Sequence, residues 1–356
     1  MNIHRTQEII GKGEISSLLF QPESIIPNSL LELSLKSLNS IQGINLKRDG
    51  DGIEPEESYP YRQKILRIHI ETEGQEPTLL EPLKEQTSIV GIDVSNTKVG
   101  ETDNGTIYAF RGSIVWRDKE SYKFIRCGPL IFHLQEAFLT ELHLQKESGK
   151  TPILSRLRNI FERNLQLAAT KSFRNVILLL DGSLTAGTPD NPSRLLLELL
   201  EESRKNRNTV IAISKSTKLV INGKNITSLI KGLRKPCFIS IDPYVKSLFP
   251  THPVHLMGKV FVAKLAKDGF PFRVDIDRMA PIQNPKTSLG LLLGNELLEG
   301  GYPETLRLAH ILSKFTESEA LAINGFLAGK YRLRLSMRFD LRKALFGPFS
   351  SGVETT

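Results

Sequence analysis

Long apolar runs, cysteines and zinc-ligand spacings are what this chain has little of. No apolar run approaches the ~18 residues of a membrane span, and the opening "MNIHRTQEIIGKG" lacks the apolar centre of a signal peptide. Cys127 and Cys237 are the only cysteines in 356 residues, which excludes a disulfide framework. Neither forms a C-x-x-C, so the histidines, His252 and His255 among them, have no zinc-binding company. These absences predict a soluble, cytoplasmic protein with no membrane partner. Internal repeats and low-complexity tracts are absent too. Lys and Arg exceed Asp and Glu by 47 to 39, a net charge of +8 that suits a polyanionic partner without establishing one.

The length fits about two domains, and 40% hydrophobic residues are enough for a core. Residues 1–87 read as an N-terminal helical arm and loop, because "SLLELSLKSLNSI" is bounded by Pro27 and by the charged "KRDGDGIEPEES". From residue 88 to 316 strand and helix patterns alternate, which predicts an α/β domain. Residues 317–356, with "GKYRLRLSMRFDLRKALFGPFS", form a basic C-terminal extension interleaved with apolar residues.

Within the α/β domain, "SIVGIDVSNTKVGETDNGTIYAF" reads as a buried strand over Ile89–Ile92, a turn at Asp103-Asn104-Gly105 and a second strand over Ile107–Phe110. Asp93 is then expected where a buried strand meets solvent. Such an acid is a turn residue, part of a phosphate-binding hairpin like that of sugar kinases and actin-like ATPases, or a metal ligand. A second strand-terminal acid, Asp181, ends the continuous apolar run Val176–Leu180, on the edge where open α/β sheets place ligands. Between them "PILSRLRNIFERNLQLAATKS" predicts a helix with Leu154, Leu157, Phe161, Leu165 and Ala168 as its buried stripe. Glu162 falls on the shoulder of that stripe, either facing a cleft or pairing with Arg158 one turn earlier. Glu136 and Glu141 on the preceding segment compete for the same role.

Carboxylates converging from separate elements suit Mg²⁺ or Mn²⁺, hard cations that neutralise charge on the oxygens of a phosphodiester under attack. Lys215, just beyond the strand Val210–Ile213 and among hydroxyls, can hold a phosphate or remain a solvated lysine. His310 sits beside the apolar stripe Leu306, Ala309 and Leu312, as a site residue or as a packed histidine.

The segments "GIDVSNTKVG", "FERNLQLA", "VILLLDGSL", "IAISKSTK" and "GYPETLRLAH", in that order, resemble the NurA nucleases of DNA end resection over roughly residues 88–315. The resemblance implies a ribonuclease H-like mixed sheet flanked by helices, with Asp93, Glu162 and Asp181 as ligands of catalytic Mn²⁺ or Mg²⁺ and with Lys215 and His310 completing the site. It also implies a metal-dependent DNA nuclease, a 5′–3′ exonuclease with single-strand endonuclease activity, working in DNA repair as a homodimer docked on a HerA-type hexameric ATPase. Where the family's first motif usually reads Asp-Gly-Ser-Arg, this chain has Asp93-Val94-Ser95-Asn96, without the glycine and the arginine. Two alternatives carry their own expectations. A kinase-like ATP-binding phosphotransferase would need a first phosphate loop near the start of its domain and further Gly-rich loops, for which "DGSLTAGTP" is the only near match. A non-catalytic nucleic-acid-binding scaffold would need only the charge.

Overall fold

An eleven-stranded mixed sheet forms the centre of the chain in a computed structural model that describes residues 25–48, 67–68, 76–118, 121–135, 151–188, 191–217, 219–221, 223–248 and 254–337. Its strands are β1 (Asn45–Arg48), β2 (Thr78–Leu79), β3 (Ile89–Thr102), β4 (Gly105–Asp118), β5 (Ser121–Gln135), β6 (Ile177–Asp181), β7 (Thr209–Ser214), β8 (Cys237–Ser240), β9 (Gly258–Lys264), β10 (Pro271–Asp277) and β11 (Arg334–Met337). The helices that concern the site are α1 (Asn28–Asn39), α2 (Thr151–Ser172), α3 (Ser193–Lys205), α4 (Asp242–Leu248), α5 (Pro285–Asn295), α6 (Glu304–Ser313) and α7 (Glu317–Tyr331).

Across the sheet the order is β5-β4-β3-β6-β7-β10-β9-β8-β2, with β1 and β11 joined at the far end of β3. β3, β4 and β5 form an antiparallel meander. β6 runs parallel to β3, and β7 parallel to β6. An antiparallel meander followed by two parallel strands, with α2 and α3 as crossovers, is compatible with a ribonuclease H-like core, and the mixed sheet flanked by helices is as expected.

The apolar run of β6 follows from burial on both faces. Leu178 and Leu180 pack under α2 and α3 with Leu157, Phe161, Leu165 and Leu199. Ile177 and Leu179 point the other way, against Leu289 and Leu292 of α5 and Leu306 of α6. Alternation of faces thus demands an apolar residue at every position until Asp181. The stripe of α2 is as read from the sequence up to Leu165, after which Ala169 rather than Ala168 is buried.

One expectation is overturned. β3 does not end before Asp93 but runs nine residues further, to Thr102, as one arm of a hairpin with β4 that turns at Asp103-Asn104. What ends at Ile92 is the pairing of β3 with β6. Asp93 is therefore a buried mid-strand residue, paired with Ser113 of β4 on one side and open on the other, where β6 has given way to Asp181 and Gly182. A capping or turn role for Asp93 is excluded by that position. The same continuity makes the missing glycine immaterial, since Val94 lies buried within the strand, where no turn is made.

Candidate metal centre

Three elements bring the site together. β3 supplies Asp93, β6 supplies Asp181 at its carboxyl end, and α6, lying across β3 and β4, supplies His310. One carboxylate oxygen of each aspartate and a ring nitrogen of His310 all lie within 4.8 Å of one another. His310 Nδ1 is 3.2 Å from Asp93 Oδ2, and Ser313 Oγ donates to the same oxygen at 2.7 Å. Burial raises the Asp93 pKa, but these two hydrogen bonds and the charges of His310 and Arg158 prevail and hold it below the ordinary aspartate value.

Lys215 is placed just beyond β7, where Nζ donates to Asp181 Oδ2 at 2.8 Å. Its ammonium also stands 5.2 Å from the centre of the Tyr302 ring. Lys215 is exposed and at the same time ion-paired with one of the two site aspartates.

Glu162 projects from α2 toward the same place without joining the close trio. Its Oε1 accepts from Gln166 Nε2 at 2.8 Å, and Gln166 Oε1 in turn accepts from Arg163 Nη1 at 2.8 Å. Gln166 is fully buried. Desolvation pushes the Glu162 pKa up to about 7; Arg163 and Arg158 lower it, and the charges of Asp93 and Asp181 raise it further. That mutual repulsion places the three acids in one electrostatic neighbourhood. Arg158 is exposed and acts on Asp93 and Glu162 alike, so a positive charge reaches the acids from α2 although Asn96 stands where the family motif has an arginine. Glu136 and Glu141 lie outside the described residues.

Sequence reasoning passed over three residues here. Ser313 and Gln166 each orient an acid. Tyr302, eight residues before His310, has a buried hydroxyl with no hydrogen-bond partner among the described residues. It lies beside Asp181, and desolvation, the charges of Asp181 and Asp93 and its polar contact with Asp181 all raise its pKa. The signal for Tyr302 was its place in "GYPETLRLAH". For Ser313 and Gln166 there was none, because their partners are defined by the tertiary fold.

This donor set fits a hard divalent cation. Two carboxylates and an imidazole nitrogen, with a third carboxylate near by, supply oxygen and nitrogen donors on converging elements. Like charges this close, one of them already driven up to about 7, are an arrangement that a bound cation relieves.

The family model of the NurA domain matches residues 4–315. No curated protein matches the sequence. Among solved structures the chain is similar to the NurA nuclease from Sulfolobus solfataricus, with 17% identity, a TM-score of 0.48, and coverage of 72% of this chain and 87% of that one. It is also similar to a NurA structure bound to dAMP and manganese, at 12% identity and a TM-score of 0.39, over 68% of this chain and 88% of the other.

Proposed function

The chain belongs to the NurA domain family, and on that premise we propose that it is a metal-dependent deoxyribonuclease that hydrolyses phosphodiesters in DNA end processing. The observation that carries the reading is the convergence of Asp93, Asp181 and His310 within 4.8 Å where β3 and β6 part.

Asp93, Asp181 and His310, with Glu162 beside them, would hold Mn²⁺ or Mg²⁺. Ions bound there supply charge neutralisation on the scissile phosphate and a water acidic enough to attack it near neutral pH. The remaining work belongs to side chains. Lys215, held by Asp181, meets a non-bridging phosphate oxygen and orients it. Ser313 and Gln166 hold the carboxylates of Asp93 and Glu162 in place, so that little rearrangement is needed when substrate arrives.

The finer reading is a 5′–3′ exonuclease with single-strand endonuclease activity, acting in the cytoplasm as a homodimer docked on a HerA-type hexameric ATPase. It divides the chain into an arm at 1–87, the nuclease domain at 88–316 and a basic extension at 317–356. The order of motifs supports the activity, and the +8 charge supports a DNA partner. No helix among the described residues is long and apolar enough to cross a membrane.

The test is incubation of the purified chain with single- and double-stranded DNA labelled at either end, with Mn²⁺, Mg²⁺ or EDTA. Cleavage should require a metal, and the order of products from the two labels gives polarity. Asp93→Asn, Asp181→Asn and Glu162→Gln should each abolish cleavage; Glu162→Gln should keep or raise the Tm, because burial and the neighbouring acids push that pKa up, whereas Asp93→Asn should lower it, because the fold holds the Asp93 pKa down and so favours its carboxylate. Wild-type cleavage by any of the three at the same metal optimum would show that residue to be misassigned. ATP binding without DNA cleavage would turn the assignment to a phosphotransferase.

A further inference from the structure

The sheet edge that carries Asp93 and Asp181 continues past the acids across β7, β10, β9 and β8. Arg273 pairs with Ser214 and Lys264 with Pro271, so β10 begins and β9 ends on that same edge. The hairpin between them, 265–270, therefore projects on the side of the acids. Where it returns to β10, after the turn at Lys267-Asp268, stands Phe270, 69% exposed, more than any other large hydrophobic side chain among the described residues.

This aromatic is braced. The Phe270 N–H donates to Gly300 O at 2.8 Å, and the Gly269 N–H to Ala266 O at 3.2 Å. Gly269 packs so tightly that a Cβ there would stand 2.8 Å from both Gly300 O and Gly301 Cα. Gly301 precedes Tyr302, whose ring lies 5.6 Å from that of Phe272 and 5.2 Å from Lys215 Nζ. Backbone contacts thus fix Phe270 relative to two groups of the acid site.

Beside the hairpin, the turn 231–235 is clipped to the end of β9 by Lys264 Nζ, which donates to Leu233 O at 2.6 Å. The turn exposes Lys231, Arg234 and Lys235, and the hairpin exposes Lys267. None of these four makes an ion pair or side-chain hydrogen bond among the described residues, and Asp268 is the acid next to Lys267. From β6 to β9 is three strand spacings, about 14 Å. That spans on the order of two to four nucleotides at stacked or more extended rise.

We propose that this edge is a binding track for single-stranded DNA leading away from the acid cluster. Phe270 stacks on one unpaired base, and Lys231, Arg234, Lys235 and Lys267 neutralise phosphates. The occupant is single-stranded because a duplex turns its base faces inward and leaves none for an aromatic platform, and it is a polyanion because the surrounding charge is unpaired and basic. The inference rests on the nuclease reading for its substrate, so the experiment measures binding apart from cleavage.

Fluorescence anisotropy with labelled oligo-dT and with a blunt duplex, in EDTA, compares the full-length wild type, Phe270→Ala, Phe270→Trp and Lys235→Ala. Phe270→Ala should weaken oligo-dT binding roughly ten- to hundredfold, the range for one stacked base, and change duplex binding by no more than about twofold. Phe270→Trp should restore binding, and its emission should be quenched by oligo-dT against the single native tryptophan, Trp116, which is buried. Lys235→Ala should weaken oligo-dT binding with a shallower salt dependence. Oligo-dT binding by Phe270→Ala equal to wild type, loss on duplex and oligo-dT alike, or a change of oligomeric state with oligo-dT binding kept would each overturn the track. In that event metal-dependent cleavage by the wild type keeps the nuclease reading. Conversely, a Phe270 effect in a protein that cleaves DNA with neither Mn²⁺ nor Mg²⁺ would keep the track and sink the nuclease.

Discussion

Asp93 Oδ2 takes two donors at once, Ser313 Oγ at 2.7 Å and His310 Nδ1 at 3.2 Å, so the carboxylate is oriented before a cation arrives. Ser313 is itself fully buried and hydrogen-bonds back to His310 O at 3.0 Å, which ties the last turn of α6 to the acid. Loss of a side chain that orients a ligand typically costs 10–100-fold in metal affinity or activity, whereas loss of one neutral hydrogen bond costs about 1 kcal/mol of stability. Ser313→Ala should therefore shift the Mn²⁺ concentration for half-maximal cleavage upward by about tenfold or more, with only a small fall in Tm. A metal titration of cleavage beside a thermal melt separates the two effects. An unchanged metal requirement with a lowered Tm would reduce Ser313 to a packing role. Thr305 in the first turn of the same helix plays the structural part at the other end, with a short hydrogen bond to buried Glu296, which also accepts from Tyr122 of β5.

α6 can reach Asp93 only because the strands beneath it are nearly bare. Gly91 faces Thr305, and a Cβ there would stand 2.9 Å from the Thr305 carbonyl oxygen, a backbone atom that cannot swing away. Ser113 Oγ and Ser95 Oγ then pin the helix by donating to Ala309 O and Ser313 O, each at 2.6 Å. Overpacking of this kind costs typically 1–3 kcal/mol, and lifting the helix also parts His310 from Asp93. Gly91→Ala should accordingly lower both Tm and cleavage, and full cleavage at an unchanged Tm would mean that α6 has room to spare. These contacts also explain what was legible beforehand. β6 could be read as a strand ending at Asp181 because its run from Ile177 to Leu180 is apolar without interruption. The far half of β3 could not, since Ser95, Asn96, Thr97 and Lys98 look like a polar loop. Ser95 finds its partner 218 residues away, and Thr97 is buried, neither of which leaves a local pattern. Tyr302 sits on a two-residue strand with no periodicity to flag it. Asp181 was legible because it ends an apolar strand, and Asp93 because it follows an apolar run although the strand continues past it, while the side chains that orient the acids show themselves only in three dimensions.

Over the whole molecule, the segments flanking the site are bound into a single structure. α7 begins with a capping box between Thr316 and Glu319, and Glu319 pairs with Arg111 of β4 at 2.9 Å and with Arg126 of β5 at 3.0 Å. Partial desolvation raises the Glu319 pKa, but the hydrogen bonds from Arg111 and the Thr316 N–H, with the two arginine charges, pull it to about 2. A folded pKa below the unfolded value of about 4.3 gives stability that is present above that value and lost as pH falls toward 2. The Tm advantage of wild type over Glu319→Gln should hold from pH 5 to 7 and shrink between about pH 4.3 and 2. Beneath α7, Ile323 and Leu327 join Leu38 of α1, Ile41, Leu46 of β1, and Val99 and Ile107 of the central hairpin in one apolar cluster. The segments before β3 and after α6 thus share a core, and removing either would expose that core as well as any docking surface it carries. A point substitution is the cleaner probe. Leu327 is fully buried, and truncating such a leucine costs about 2–5 kcal/mol. Because the cluster lies at the end of β3 remote from Asp93, Leu327→Ala should lower Tm by several degrees, leave single-turnover cleavage at 25 °C within about twofold of wild type, and keep the oligomeric state seen by light scattering. Dissociation of a dimer by Leu327→Ala at an unchanged Tm would instead mean that this cluster is sealed by a second copy of the chain, and that the proposed homodimer is held together here.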